Sequence, residues 1–461
     1  MTFQRADAAW PAHQTEASAD ASAVFPRSIN RRQITRAVKG EGSWIIDADG
    51  RRFLDASSGV FVAILGHSPT AVADAIAQQA RELNFAYTGD FTSAALERLA
   101  QRLVSIAPDG IERVWLSTSG SAANETAIKL ARQYHLVNGD SGKTKVISRR
   151  HSYHGSTIGA LSMTGSLPRR KPYEPYLLNF PQVSPPYCYR CPYAQQPKNC
   201  ALACADEIEE AILAAGEQYV SAFIMEPIAG GPLGALPSTA EYMQRARSIC
   251  DRYNVLMIVD EVVSGLGRTG DWFAIEESGV VPDMITLAKG LGGGYLPIGA
   301  VLAHKRIHQA FEAAGQSFVH SESFTGHVLL GTAGAAVLDY IEDNGLRAKV
   351  KELARYLEER LEPLGELSIV GEVRGRGLLR GLELVADKKT KRPFSRTLNV
   401  AERVSQAAAE HGVLLLTGNA AADGVNGDTI VVAPPYVTTH AEIDLIHDAL
   451  RAALQRVTDE I

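Results

Sequence analysis

A chain of 461 residues is long for a single core and predicts two or three domains. Its 46% hydrophobic and 21% charged residues are ordinary for a globular protein. The formal net charge of −6, with both signs interspersed, leaves no basic footprint for nucleic acid, and no run of about 18 apolar residues marks a membrane span.

The opening "MTFQRADAAWPAHQTEASADASAVF" lacks the basic start and continuous apolar stretch of a signal peptide. Its Ala, Ser and Asp content predicts a loose arm. The expected location is cytoplasmic, a reducing compartment where disulfides are rare. "SWIIDADGRRFLDA" predicts a hairpin turning at Asp49-Gly50. "AVADAIAQQARELNF" and "AALERLAQRLVSIA" carry apolar residues at spacings of three and four and predict helices. From Arg113 onward the strand-like runs "RVWLS", "KVISR", "SAFIMEP", "VLMIVDE", "MITLAK" and "IGAVLA" alternate with helical segments. That alternation predicts an α/β fold with a largely parallel sheet covered by helices. "GTAGAAVLDYIEDN" reads as a long helix, followed by the amphipathic "AKVKELARYLEERLEPL", strands in "GLLRGLELV" and "TIVVAPP", and a closing helix from Ala441. The expected layout is an N-terminal arm and small-domain segment over 1–68, a large α/β domain over 69–335, and a smaller α+β domain over 336–461.

Ligands of an open parallel sheet gather at the carboxyl ends of its strands. After "RVWLS", Gly120 and Ser121 open a helix whose first amides, dipole and serine hydroxyl suit a phosphate; a plain capped turn is the alternative. Asp260 closes "VLMIVD", and Lys289 follows "MITLA". Lysine at the end of a buried strand is unusual, because desolvation disfavours its charge. The same desolvation makes it a nucleophile able to form a Schiff base with an aldehyde. A buried Lys–Asp ion pair is the competing reading, weakened by the glycines after Lys289, which let a bulky ligand approach the backbone. Pyridoxal 5′-phosphate needs all three features: a lysine for its aldehyde, a helix N-terminus for its phosphate, and a carboxylate for its ring nitrogen. Tyr153 in "HSYHGST" is the candidate aromatic for stacking on the ring.

Cys188, Cys191, Cys200 and Cys204 are spaced C-x2-C, then C-x3-C after eight residues. They read as reduced thiols packed in a loop, with a four-cysteine zinc staple as the other reading. Two decoys fail. "GLGRTG" at 265–270 does not open a helix at a first strand, as a dinucleotide site requires. "GKT" at 142–144 lacks the leading glycine of a P-loop, since position 137 is valine.

The chain resembles class III aminotransferases of the ω-aminotransferase group, in fold type I of the pyridoxal-phosphate enzymes. The resemblance runs through "DASSGVFVAILGH", "SGSAANETAIKLAR", "YHGST", "DEVVSGLGRTG", "TLAKGLGGGYLPIGA", "SFTGH", "VRGRGLL" and "APPYVTTHAEID", over most of residues 40–450. It implies Lys289 as the Schiff-base lysine, Asp260 on the ring nitrogen, Tyr153 and Val262 on opposite ring faces, and Gly120 with Ser121 on the phosphate. It further implies Ser323, where the family usually has threonine, on the phosphate of a partner subunit's cofactor. A homodimer with shared active sites, or a tetramer built from it, follows. Glu226 matches the family's Glu-Pro and, with Tyr87, is a candidate for substrate binding.

Val263 stands where ornithine-type members carry glutamine, Val431 where they carry arginine, and the loop "TGNAAADGVNGDT" contains no arginine. These departures point to a primary amine or ω-amino acid donor, with a 2-oxo acid such as pyruvate as acceptor. A decarboxylase, racemase or aminomutase on the same fold shares the cofactor core, and a zinc-organised binding protein is the reading from a different class.

Overall fold

The computed structural model describes Phe25 and residues 35–461. The arm expected over the first 25 residues lies, Phe25 apart, outside the described residues.

A seven-stranded sheet forms the centre. Its spatial order is Ile111–Ser117, Gly299–His304, Met284–Leu287, Leu256–Asp260, Val220–Met225, Lys145–Arg149 and Gln182–Val183. Gly299–His304 runs antiparallel to both its neighbours, and the other pairings are parallel. All six strand-like runs read from the sequence are present. The seventh, Gln182–Val183, is two residues long and lies between Pro181 and Pro185, so no alternation could reveal it.

The middle strands are buried along their whole length, which is why they read as continuous apolar runs. Their side chains divide by alternation between two cores. Ala222, Ile224, Leu256 and Ile258 face one, with Ala123, Ala127 and Ala131 of helix Gly120–Val137. Phe223, Met225, Met257 and Val259 face the other, with Tyr242, Met243 and Ile249 of helix Ala240–Arg252.

Helix Val328–Asp343 packs against Thr70–Glu82 and Ala94–Ile106. A Cβ at Gly331 would stand 2.9 Å from the Ala95 backbone, so only glycine permits this approach. The predicted helix after Pro69 ends earlier than its periodicity suggested, since Leu83 is already extended.

The predicted hairpin pairs Trp44–Asp47 with Arg52–Asp55, and Gly50 takes a φ of +80° in its turn. That sheet gains Ala37–Glu41 on one side and, from the far end of the chain, Val413–Leu414 parallel to Arg52–Asp55. A separate four-stranded antiparallel sheet has the order Val370–Arg376, Leu379–Leu384, Asp428–Val432, Leu416–Gly418. Helices Val400–Glu410 and His440–Glu460 pack together beside it. The two ends of the sequence therefore build one α+β layer next to the large sheet.

Candidate active site

Reversal of Gly299–His304 leaves Ile111–Ser117 parallel to the other strands, so the carboxyl ends of six strands open on one edge of the sheet. Glu226 follows Val220–Met225 directly, Asp260 ends Leu256–Asp260, and Lys289 lies just beyond Met284–Leu287. Gly120 and Tyr153 lie beyond Ile111–Ser117 and Lys145–Arg149. This edge bounds a cavity of about 430 Å³, lined by Gly120, Ser121, Tyr153, Glu226, Asp260, Val262 and Lys289 among others. Seven of the nine sequence-predicted site residues therefore meet in one place. Tyr87 and Ser323 do not line it: both are exposed, in segments that touch where Thr88 Oγ1 donates to the Thr325 carbonyl.

Asp260 is buried, and both of its oxygens are hydrogen-bonded. Oδ2 accepts hydrogen bonds from Asn124 Nδ2 and from His154 Nδ1, each at 2.8 Å. Oδ1 accepts from the Val262 amide at 3.1 Å. Asn124 is itself oriented, since Thr286 Oγ1 donates to its Oδ1 at 2.8 Å and its Nδ2 also reaches the His154 carbonyl. Sequence reading missed Asn124 and His154 as members of the site. Their signal was present, because Asn124 lies one helical turn inside the Gly120 helix on its buried face, and His154 is next to Tyr153.

Lys289 occupies the left-handed region at φ +46°, a strained conformation for a residue with a side chain. Its Nζ lies 4.8 Å from the centre of the Phe61 ring. Burial lowers the amine to about 8, while the carboxylates of Asp260 and Glu226 pull the other way. Phe61 belongs to a second strained stretch, with Ser58, Val60 and Phe61 at φ between +49° and +68°. The Lys289 amine and the Phe61 ring it faces are thus both carried on left-handed backbone.

The helix Gly120–Val137 starts at the cavity wall. Ser119 Oγ caps it by accepting from the Ala122 amide, and Ser121 Oγ accepts from the Ser156 amide at 3.0 Å. A Cβ at Gly120 would stand 3.1 Å from Val262 Cγ1, so a side chain here would crowd the wall that Val262 forms. Glu226 receives the Tyr153 and Gly230 amides, both at 3.3 Å, and its burial raises its carboxyl above the usual range.

These features fit pyridoxal 5′-phosphate: a partly neutral amine, a buried carboxylate held by oriented donors, and a helix N-terminus, all around one cavity. The His154 Nε2 atom has no hydrogen-bond partner among the described residues. Beyond Tyr153 lies a second cavity of about 200 Å³, which shares Tyr153, Glu226, Val263 and Lys289 with the first.

The predicted decoy "GLGRTG" has a structural role. It opens no helix, and its Arg268 is fully buried, donating to the Pro434 carbonyl at 2.6 Å and stacking over Tyr436. The four clustered cysteines are free thiols, with Cys188 and Cys200 exposed. Among the described residues, no group of three or more His, Cys, Asp or Glu is placed to hold a metal ion. The loop that carries them is anchored by Tyr187 and Arg190, both of which donate to Glu383 on strand Leu379–Leu384. Among the described residues, no helix is long and apolar enough to cross a membrane.

Comparison with known proteins agrees with this geometry. The class-III aminotransferase family matches residues 28–454. A probable aminotransferase of Mycobacterium tuberculosis is 40% identical over 421 residues, covering 90% of this chain and 89% of the relative. An adenosylmethionine-8-amino-7-oxononanoate aminotransferase of Geobacter sulfurreducens is 36% identical over 91% of this chain and 92% of its own length. Among solved structures, an (S)-enantioselective omega-transaminase from Thermomicrobium roseum superposes with a TM-score of 0.88 at 31% identity, covering 95% of this chain and 97% of that one. An aminotransferase from Vibrio fluvialis in its PMP-bound form has a TM-score of 0.88 at 30% identity, covering 97% and 100%. The chain belongs to the class III aminotransferases, fold type I transaminases that use pyridoxal phosphate.

Proposed function

We propose that this enzyme moves an amino group from a primary amine or ω-amino acid to a 2-oxo acid such as pyruvate, in a ping-pong cycle centred on Lys289. The observation that carries the reading is the convergence of the Lys289 amine, at about 8, with the hydrogen-bonded Asp260 carboxylate on one cavity. The cofactor, when bound, supplies an aldehyde for the amino group and a ring that withdraws electrons. Lys289 would hold the cofactor's aldehyde, and its amine would serve as general base and acid for the proton moved at the donor carbon. An amine titrating near 8 can give and take a proton near neutral pH. Asp260, oriented by its hydrogen bonds to Asn124 and His154, would pair with the ring nitrogen. Gly120 and Ser121 would hold the phosphate, and Tyr153 and Val262 would enclose the ring.

The donor class is supported by Val263, which lines both cavities, and by Val431, which is fully buried in an apolar cluster with Phe61 and Ile228. Neither offers the polar contact of an ornithine-type site. Single-turnover mixing of the yellow enzyme with amines and ω-amino acids tests this. Loss of the colour with formation of the carbonyl product is expected, and release of carbon dioxide would point instead to a decarboxylase.

The active enzyme is proposed to be a homodimer with shared sites. Phe85, Tyr87, Phe91 and Phe324 are exposed on adjoining segments, and Phe85 meets Phe324 edge-on. This face would dock on a second copy, carrying Tyr87 and Ser323 toward the partner's cavity. Light scattering of the purified protein tests it: a monomer mass would refute the shared site.

A further inference from the structure

We propose that Arg169 binds the carboxylate of an ω-amino acid donor, in place of the arginine that Val431 and the 417–429 loop lack. The inference rests on the reading of Lys289 as the reacting amine. Arg169 lies on the short helix Leu167–Arg170 and lines the second cavity together with Lys289, Glu226, Val263 and Asn419. Its neighbour Arg170 is structural, donating to the carbonyls of Leu161, Ser162 and Thr164 and so fixing the helix. Arg169 has no such duty. Among the described residues its guanidinium forms no hydrogen bond or ion pair; it lies over the Tyr153 ring, 4.6 Å from the centroid.

That placement prepares a planar cation. Stacking on an aromatic face orients a guanidinium while leaving its N–H edges free for a bidentate acceptor. Tyr153 lines both cavities, whereas Arg169 lines only the second and Gly120 only the first. The ionisable groups lining this cavity are two bases, Arg169 and Lys289, against one acid, Glu226, whose burial raises its carboxyl above the usual range. An anion is therefore the favoured occupant. A donor with its amino group at Lys289 and its carboxylate at Arg169 is charged at both ends, as ω-amino acids are.

The test compares 4-aminobutanoate with 1-aminobutane, the same chain without its carboxylate, in the wild type, Arg169→Met and Arg169→Lys. Single-turnover loss of the cofactor colour gives kcat/KM for each amine, and calorimetry gives the Kd of valerate, an unreactive carboxylate. In Arg169→Met the ratio of kcat/KM for 4-aminobutanoate to that for 1-aminobutane falls at least tenfold, mostly through KM. The valerate Kd rises by a similar factor, and Arg169→Lys recovers part of both. An unchanged ratio with unchanged valerate affinity overturns the assignment. If neither amine discharges the colour while valerate binding still depends on Arg169, the carboxylate site stands and the transamination reading fails.

Discussion

The Nδ1 atom of His154 stands 2.8 Å from Oδ2 of Asp260, and both residues are buried. This contact joins the loop after Lys145–Arg149 to the end of Leu256–Asp260, and it fixes the imidazole tautomer that donates to the carboxylate. A hydrogen bond to a buried charge contributes about 1.5–3 kcal/mol. Replacing His154 by leucine removes one of the donors that stabilise the negative charge. The kcat of His154→Leu is expected to fall by about tenfold or more, with His154→Gln, which keeps a donor, in between. Equal activity of the leucine variant and the wild type would dismiss the role.

Lys289→Ala is expected to abolish turnover while the protein still binds pyridoxal 5′-phosphate, because Gly120, Ser121, Asp260 and Tyr153 remain. Equilibrium dialysis separates the two effects. The pH dependence also follows from the lowered amine. With its value near 8 in the fold, Lys289 is mostly charged at pH 7 and mostly neutral at pH 9. Acetylation of Lys289 in the cofactor-free protein, followed by peptide mass spectrometry, is expected to accelerate through pH 8. A rate that rises only near pH 10 would mean the amine is not desolvated.

Glu261, next to Asp260 in the chain, is buried. Burial pushes its carboxyl up to about 7, against hydrogen bonds from Ser264 Oγ and the Ile275 amide. Between the ordinary value of 4.5 and about 7 the folded protein keeps a proton that the unfolded chain has lost, so this group removes stability as pH rises. The cost above pH 7 is about 3 kcal/mol. Glu261→Gln is expected to raise the melting temperature by a few degrees at pH 8 and to change little at pH 5. Thermal scans at both pH values check the difference.

Replacing Cys188, Cys191, Cys200 and Cys204 together by serine is expected to leave cofactor binding intact, since none of them lines the cavity. The loop depends instead on Glu383, which receives Tyr187, Arg190 and Arg374. Glu383→Ala leaves the buried Arg374 without its buried partner and is expected to destabilise the fold by about 3–5 kcal/mol. Denaturant titration measures it. A colourless serine variant would tie the loop to the active site.

The parallel core was legible because buried strands cannot alternate, and the runs "AFIM", "LMIVD" and "MITL" carry that signature without help from the fold. Lys289 and Asp260 were legible for the same reason: a charge at the end of an apolar strand has no packing explanation. Gln182–Val183 and Val413–Leu414 were not, since two residues show no period and exist only through the strand beside them.

What the sequence determined by itself was local: the order of strands and helices, the turn at Gly50, and a lysine, a carboxylate and a helix start placed at strand ends. Only the tertiary structure decided which distant side chains serve them. Asn124 and Asp260 are 136 positions apart and share a hydrogen bond, and Arg169 meets Lys289 across a cavity that no spacing encodes. The reason is physical. Periodicity records which face of an element is buried, but the partner that a buried charge finds is set by the packing of elements brought together from the whole chain.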